Sequence, residues 1–144
     1  MPKATTTCNS ILALIFNATA WADIAENDAT GPLTSLYLSL HTADPGIGGS
    51  PLTNEAAYTG YARLAVARTT GGWSAPSGAA TLNAALAQFA ACSAGSSTVT
   101  HVAIGTTASG AGIVLYAGAL AASRSISAGI QPQFAASALT VTEA

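Results

Sequence analysis

The residues best suited to acid–base chemistry are His41 and His101, the two histidines of the chain. Among the carboxylates, only Asp44 lies near either of them in sequence. A hydrolytic triad needs a histidine that is oriented by a carboxylate beside a nucleophilic hydroxyl. Asp44 falls where a predicted strand enters a turn, and an Asp in that position usually caps the turn backbone. The nearest approach to a G-x-S-x-G motif, residues 106–110, lacks its flanking pattern. We therefore expect no catalytic residue, and a secreted hydrolase using His41 is the remote alternative.

Metal and cofactor chemistry is not expected either. The two histidines, Cys8 and Cys92 match no metal-ligand spacing. Asp44 and Glu55 could hold a calcium ion across the intervening loop, but that loop lacks the alternating oxygen ligands of an EF-hand. Its glycines follow no phosphate-binding spacing. We expect Cys92 to be a small core residue and Cys8 to be exposed in a polar lead-in of residues 1–8.

The composition points to a protein that packs against other proteins. Of the 144 residues, 50% are hydrophobic and only 7% are charged, whereas an ordinary domain has about 25% charged residues. The net charge is −2 with four scattered cations, so we expect no nucleic-acid binding, which needs clustered Lys and Arg. No apolar run approaches the ~20 residues that span a membrane. A weakly charged surface with small side chains suits a subunit of an assembly.

One helix is predicted near the N-terminus. Asn9 or Ser10 can cap it, and an apolar stripe then follows at helical spacing. The stripe comprises Ile11, Leu14, Ile15, Ala18 and Ala22. Leu12, Phe16 and Trp21 fall off the stripe, so the helix must be covered on more than one side. Its cover is either the sheet of the same chain or a neighbouring subunit, and the sequence leaves both open.

The rest of the chain has the pattern of short strands. In Leu36–His41 the leucines occupy every second position, which is typical of a strand. Residues 42–58 form a long loop rich in Gly and Pro, and loops of that length are usually functional or mobile. Further strands are predicted at Ala62–Ala67, Ala80–Asn83, Ala87–Ala91, Thr98–Ile104, Ile113–Leu120, Arg124–Ile126, Gln131–Phe134 and Leu139–Thr142.

These elements predict an all-β fold, a jelly roll or β-sandwich with one short N-terminal helix. We expect a single domain over residues 1–144, with an N-terminal arm and helix at 1–32 and the β-sandwich at 33–144. A sheet edge with few charges is an aggregation risk unless another chain adds a strand there. The pattern therefore favours a protein-binding module.

Several segments also resemble a family of small virion proteins of tailed bacteriophages. Leu36–Gly46 (LYLSLHTADPG) is similar to that family's L-Y-(V/L)-x-L-H-T-A-D-P box, and Tyr58–Arg63 to its Gly-Tyr-Ala-Arg element. Thr98–Ile104 resembles its T-(V/I)-T-H-(F/V)-A-I strand. Leu115–Leu120 and Ala138–Thr142 match as well, in the family's order.

The resemblance implies a structural role without an active site. Members are commonly labelled tail-fibre-like, and the likeness extends to the cement, or decoration, protein of short-tailed phages, a jelly roll outside the major capsid lattice. Small size and the absence of a fibrous repeat favour the head. We therefore expect a cement protein on the outer surface of the phage head that binds the major capsid protein and forms a homo-dimer or trimer. The alternative is a tail- or fibre-associated protein that takes part in tail assembly or host attachment.

The expected contact surface consists of the helix around Ile11–Trp21 and the loop Asp44–Tyr58. The residues assigned to it are Ile11, Leu12, Ile15, Phe16, Trp21, Asp44 and Tyr58.

Overall fold

The computed structural model describes residues 3–21, 24–25 and 31–144. Within these ranges there is one helix, α1 (Thr5–Phe16), and eight strands. The strands are β1 (Ser35–His41), β2 (Leu64–Ala67), β3 (Ala80–Leu82), β4 (Ala87–Gln88), β5 (Ser96–Gly105), β6 (Val114–Ser127), β7 (Gln133–Phe134) and β8 (Thr140–Thr142). The predicted all-β class with one short N-terminal helix is confirmed. In the part of the chain that the structure describes, no helix has the length and apolarity needed to cross a bilayer.

The strands form one four-stranded sheet, in the order β2-β1-β5-β6, and two two-stranded sheets, β3–β8 and β4–β7. β1 is an interior strand of the four-stranded sheet, and Leu38 and Leu40 on one of its faces are buried, as the alternating leucines predict. Ser39 and His41 on the other face are buried too, at 1% and 0% exposure. Both faces of β1 are therefore covered, and its polar residues must find partners inside the protein.

The chain divides into two compact units, each made of separate segments. Unit 1 comprises Met1–Ser35, Val66–Ala87 and Phe134–Ala144, and unit 2 comprises Leu36–Ala65 and Gln88–Gln133. Segments from later in the chain belong to the same unit as the N-terminal helix, and the predicted single domain with its boundary at residue 32 stays a prediction. Residues 1–2, 22–23 and 26–30 of the predicted arm lie outside the described residues.

The helix of unit 1 begins earlier than predicted. It starts at Thr5, with Ala4 as a cap residue that makes no side-chain hydrogen bond. The predicted capping role of Asn9 is wrong, because its Oδ1 instead accepts a hydrogen bond from the Ala79 N–H at 2.7 Å. Cys8 is consequently helical and buried at 3% exposure, not part of an exposed lead-in.

The buried face of α1 is also not the predicted stripe. Cys8, Leu12 and Phe16 are its buried residues, at i, i+4 and i+8. Ile11 and Ile15 are only half-buried. Leu12 and Phe16 are two of the side chains that fall off the predicted stripe, and Cys8 lies in line with them one turn earlier in the helix. Phe16 packs edge-on against the fully buried Trp73, with ring centroids 4.7 Å apart.

The helix ends at Phe16, so Trp21 lies beyond it, and Ala18 has a left-handed φ of 51°. The predicted stripe position Ala22 falls outside the described residues. Arg68 binds the carbonyls at this helix end: Nε donates to the Ile15 oxygen and Nη2 to the Leu14 oxygen, both at 2.6 Å. Such carbonyls have no partner within a helix, and a cation is favourable beside them. Burial lowers the pKa of Arg68 from its usual value.

In unit 2, β6 is an outer strand of the four-stranded sheet and carries a large bulge. Val99 pairs with Arg124 and His101 with Ala119, so Leu120–Ser123 lie opposite Thr100 alone. The two strands predicted at Ile113–Leu120 and Arg124–Ile126 are therefore one strand, and the gap between them coincides with the bulge.

The buried face of α1 gives a direct test. Leu12→Ala should lower the free energy of unfolding by about 2–5 kcal/mol, because it leaves a cavity at a fully buried position. Ile11→Ala, the matched control one residue away, should cost clearly less because Ile11 is half-buried. Urea denaturation of both variants measures the difference. Equal losses, or a larger loss for Ile11→Ala, would show that the buried face of α1 is the predicted stripe.

Candidate functional site

His41, the predicted alternative catalytic residue, is fully buried in unit 2. Its Nδ1 lies 2.8 Å from the Thr53 carbonyl oxygen, and its Nε2 lies 2.8 Å from Ser39 Oγ. A carbonyl oxygen can only accept, so Nδ1 carries the proton and the Ser39 hydroxyl donates to Nε2. Both ring nitrogens of a neutral imidazole are thus occupied by the protein.

The surroundings of His41 favour this neutral form. Burial lowers its pKa from the usual 6.5, and the charges of Arg63 and His101 act in the same direction. The hydrogen bond to Thr53 and the charge of Glu55 oppose the shift but do not cancel it. The sheet register places His101 directly opposite His41, and the Nδ1 of His101 lies 2.8 Å from Thr100 Oγ1. Both histidines are thus hydrogen-bonded within unit 2, and His41 has no surface on which to meet a substrate.

A bidentate ion pair lies beside His41. Arg63 Nε is 2.7 Å from Glu55 Oε1, and Arg63 Nη2 is 2.8 Å from Glu55 Oε2. Nη1 of the same guanidinium donates to both the carbonyl oxygen and the Oγ1 of Thr107, at 3.1 and 3.0 Å. The Arg63 side chain is 3% exposed and the Glu55 side chain 14%. Hydrogen bonding to Glu55 raises the pKa of Arg63 further.

Tyr61 connects this ion pair to the sheet. Its hydroxyl donates to Glu55 Oε1 at 2.9 Å and accepts a hydrogen bond from the Leu40 N–H at 3.1 Å. Burial raises the pKa of Tyr61 well above its usual 10. Its ring makes an edge contact with Tyr58 and stacks on Phe89. Glu55, Tyr61, Arg63 and Thr107 thus form one polar cluster inside unit 2, which we call the Arg63 cluster.

The long loop of residues 42–58 is held at both of its ends. Near its start, Asp44 Oδ1 accepts a hydrogen bond from the Gly46 N–H at 2.8 Å, the turn-capping role predicted for it. Near its end, Glu55 bridges to His41, and the Ala56 N–H donates to the Leu40 oxygen at 2.8 Å. Residues 53–56 therefore run alongside the end of β1 and are hydrogen-bonded to it. The part of the loop before them borders a cleft.

That cleft lies along the outer strand β6. It has a volume of about 660 Å³ and is lined by loop residues 44 and 46–50 and by residues 112–117. Its rim carries two exposed apolar side chains, Ile47 and Ile113. Gly49 is needed in the loop, because a Cβ there would lie 1.9 Å from the Pro45 oxygen. A cleft between a loop and an outer strand of a sheet can accept an extended peptide as an additional strand.

Metal binding finds no support within the described ranges. No group of three or more His, Cys, Asp or Glu side chains gathers there. Both oxygens of Glu55 are bound by Arg63, so Glu55 is not available for the calcium site considered with Asp44. Cys8 and Cys92 are free and buried, and Cys92 is the core residue that the sequence predicts.

The predicted contact residues fall into two groups. Leu12, Phe16 and Tyr58 are buried inside the chain, at 0%, 0% and 3% exposure, because they form the cores of their units. These three have almost no surface to offer another subunit. The remaining members retain surface, and their role in contacts stays a prediction: Ile11, Ile15 and Trp21 are half-buried, and Asp44 is exposed.

Sequence reasoning gave no role to the Arg63 cluster. Arg63 and Tyr61 belong to the Gly-Tyr-Ala-Arg element, and the sequence suggests Glu55 only as a calcium ligand. One signal was available: in a chain with 7% charged residues, an Arg and a Glu only eight residues apart are candidates for pairing with each other. The contribution of Thr107 has no local signal, since it lies 44 residues from Arg63.

These features define a β-rich protein whose motif residues are hydrogen-bonded inside unit 2 and whose outer strand β6 borders a cleft. Residues 3–142 match the family described as podophage GP4 fiber I protein gp80, and the chain belongs to that family. It is therefore a phage structural protein of the virion, as the resemblance implied. No curated protein matches the chain. The family description fits the tail- or fibre-associated alternative better than capsid decoration.

The burial of His41 makes stability pH-dependent. In the unfolded chain the imidazole gains a proton as the pH falls through about 6.5, whereas the folded side chain, with its lowered pKa, stays neutral to a lower pH. The contribution of neutral His41 to the free energy of unfolding is therefore complete above about pH 6.5 and is lost as the pH falls below it. Urea denaturation between about pH 8 and pH 5 should show this decline.

The matched variants are His41→Gln and His101→Gln. His41→Gln should flatten the decline in the free energy of unfolding between about pH 8 and pH 5. His101→Gln should leave most of that decline. If the free energy of unfolding of His41→Gln declined with pH as steeply as that of the natural chain, the buried neutral imidazole would not be the cause of the decline.

Proposed function

We propose that this chain is a non-enzymatic structural component of a short-tailed phage's fibre, and that it acts by binding other proteins of the tail. The observation that carries the proposal is the family match over residues 3–142, because it covers nearly the whole chain and the family is described as a fibre protein.

The state of His41 supports a role without catalysis. A general base must reach the proton that it abstracts, and it works best with a pKa near the working pH. His41 has no exposed surface, both nitrogens are hydrogen-bonded internally, and burial lowers its pKa. Asp44, the carboxylate nearest in sequence, caps a turn with Gly46.

The outer strand supports a role in protein binding. β6 extends over 14 residues, most of them exposed, and Arg124 is its one charged residue. Native sheets usually protect such an edge with charges, bulges or a covering segment. β6 has the bulge but little charge, and its first half borders an open cleft. A strand or loop of another tail protein can be added there.

The proposal is tested on intact particles of the phage that carries this gene. Gold-labelled antibodies against the chain should bind at the tail, with few copies per particle. Particles that lack the chain should keep the thermal stability of their heads and lose attachment to host cells. Particles carrying His41→Gln should attach normally, provided that the variant folds.

Two results would contradict the proposal. Labelling of the whole head in many copies, together with heads that become heat-sensitive without the chain, would establish capsid decoration instead. Loss of a measurable turnover in folded His41→Gln protein would establish an enzyme.

A further inference from the structure

A short turn in the 42–58 loop lies against the four-stranded sheet. Its residues bind one another: the Thr53 N–H donates to the Ser50 oxygen at 2.9 Å, and the Ser50 N–H donates to Thr53 Oγ1 at 3.1 Å. Pro51 between them is fully buried and lies beside Gly105 of β5, where an added Cβ would come within 3.3 Å of the Pro51 Cγ. Residues 50–54, which we call the Pro51 turn, therefore form one compact piece with a single buried ring.

The Pro51 turn is attached to two adjacent residues at the end of β1. The Thr53 carbonyl oxygen accepts a hydrogen bond from His41 Nδ1 at 2.8 Å, and the Asn54 oxygen accepts from the N–H and the Oγ1 of Thr42, at 2.8 and 3.2 Å. Asn54 Nδ2 also donates to the Asp44 carbonyl oxygen at 3.1 Å, and the left-handed φ of Asn54, 56°, is one that Asn adopts more readily than most residues. One of these attachments is therefore made by a side chain that can gain a proton.

The groups that face His41 do not favour a positive charge on it. Arg63 faces it from the segment before β2 and His101 from β5, and a charge on either acts against a second cation. Glu55 is the carboxylate on the loop side, but Arg63 binds both of its oxygens and Tyr61 donates to one of them. A proton on His41 would therefore place a buried cation beside a carboxylate that is already paired.

From this geometry we infer that the Pro51 turn is a proton-operated strap, which leaves the end of β1 when His41 gains a proton while β1 stays paired with β5. The proton adds at Nε2, so the Ser39 hydroxyl must change from donor to acceptor and the charged ring needs water. Water reaches the ring from the loop side when the hydrogen bonds of Thr53 and Asn54 break. From the other side it would have to separate β1 from β5, which pair continuously over Tyr37–His41.

The residues on either side of the strap allow it to move. Gly46 and Gly48 precede it with left-handed φ values of 75° and 82°, and nothing lies within 4 Å of a Cβ built on either. Such positions can absorb the rotation of a loop segment. Leu52 is already 54% exposed in the closed form, so opening adds mainly the Pro51 ring and the His41 imidazole to the exposed surface. Unfolding of the sheet would also expose the buried leucines of β1.

Opening takes up a proton, which sets its direction with pH. Burial lowers the pKa of His41 in the closed form, and a hydrated ring returns to its ordinary value of about 6.5. The open fraction is therefore constant above about pH 6.5 and rises as the pH falls below it. The pH-dependent stability described above requires only that unfolding hydrates His41, whereas the strap hydrates it in a folded chain. This inference concerns the isolated chain and does not rest on its place in the virion.

Amide hydrogen exchange of the purified full-length chain, read residue by residue by NMR, tests the inference. The Thr42 N–H, which donates to Asn54, reports on the strap, and the amides of Val102–Ile104 in β5 report on the sheet. After correction for the intrinsic exchange rate at each pH, the protection of Thr42 should fall by up to about tenfold between about pH 7.5 and pH 5.5. Its exchange should not depend on dilute urea, because local opening exposes little surface, whereas exchange of the β5 amides should accelerate with urea.

Two pairs of variants separate the proton from the packing. His41→Gln should remove the pH dependence of the Thr42 protection, and His101→Gln should leave most of it. Pro51→Ala should lower the protection of Thr42 by a similar factor at both pH values, because it removes the buried ring and keeps the titrating group. Leu52→Ala, its exposed neighbour, should change the protection little at either pH.

The natural chain alone decides the inference if His41→Gln does not fold. One result that would overturn it is exchange of Thr42 that depends on urea as steeply as exchange of the β5 amides, because the turn would then leave β1 only when the unit unfolds. Another is local exchange of Thr42 whose protection stays the same between about pH 7.5 and pH 5.5. A third is a fall in protection that is equally large in folded His41→Gln, which would assign the proton to another group.

Discussion

The arrangement of unit 2 depends on the ion pair between Arg63 and Glu55. It is a bidentate pair with little solvent contact, in a chain that has very few charges. Through it the end of the 42–58 loop, the segment before β2 and the β5–β6 loop at Thr107 are held together. Tyr61 extends the same cluster to the backbone of β1. Removing one partner of such a pair leaves a buried charge, which typically costs about 3–5 kcal/mol.

The cluster also explains what the resemblance motifs do in the fold. His41 comes from the LYLSLHTADPG box, Tyr61 and Arg63 from the Gly-Tyr-Ala-Arg element, and His101 from the third motif. The structure gathers them around β1, where each has an internal hydrogen-bond partner. Their polar groups position backbone and loops. Within unit 2, β6 is an outer strand of the sheet and a cleft lies beside it.

Much of the fold could be predicted because short strands carry local signals. The alternating leucines of β1 and the gap before Arg124 both correspond to observed features. The helix start at Thr5 could not be predicted, since its cap residue Ala4 carries no capping side chain, and apolarity alone does not separate the buried face of Cys8, Leu12 and Phe16 from the predicted stripe. The Arg63 cluster joins positions 8 and 44 residues apart, and no local pattern records such pairing. Small size and a missing repeat likewise could not decide between head and tail, because neither feature describes the surface that a partner must fit.

The role of the Arg63–Glu55 ion pair in organising unit 2 can be measured with a double-mutant cycle. The free energy of unfolding is measured for Arg63→Met, Glu55→Gln, the double variant and the natural chain. We predict that each single change costs about 3–5 kcal/mol and that the coupling energy between the two positions is about 2–3 kcal/mol. Additive losses, with a coupling below about 0.5 kcal/mol, would show that this ion pair does not organise unit 2.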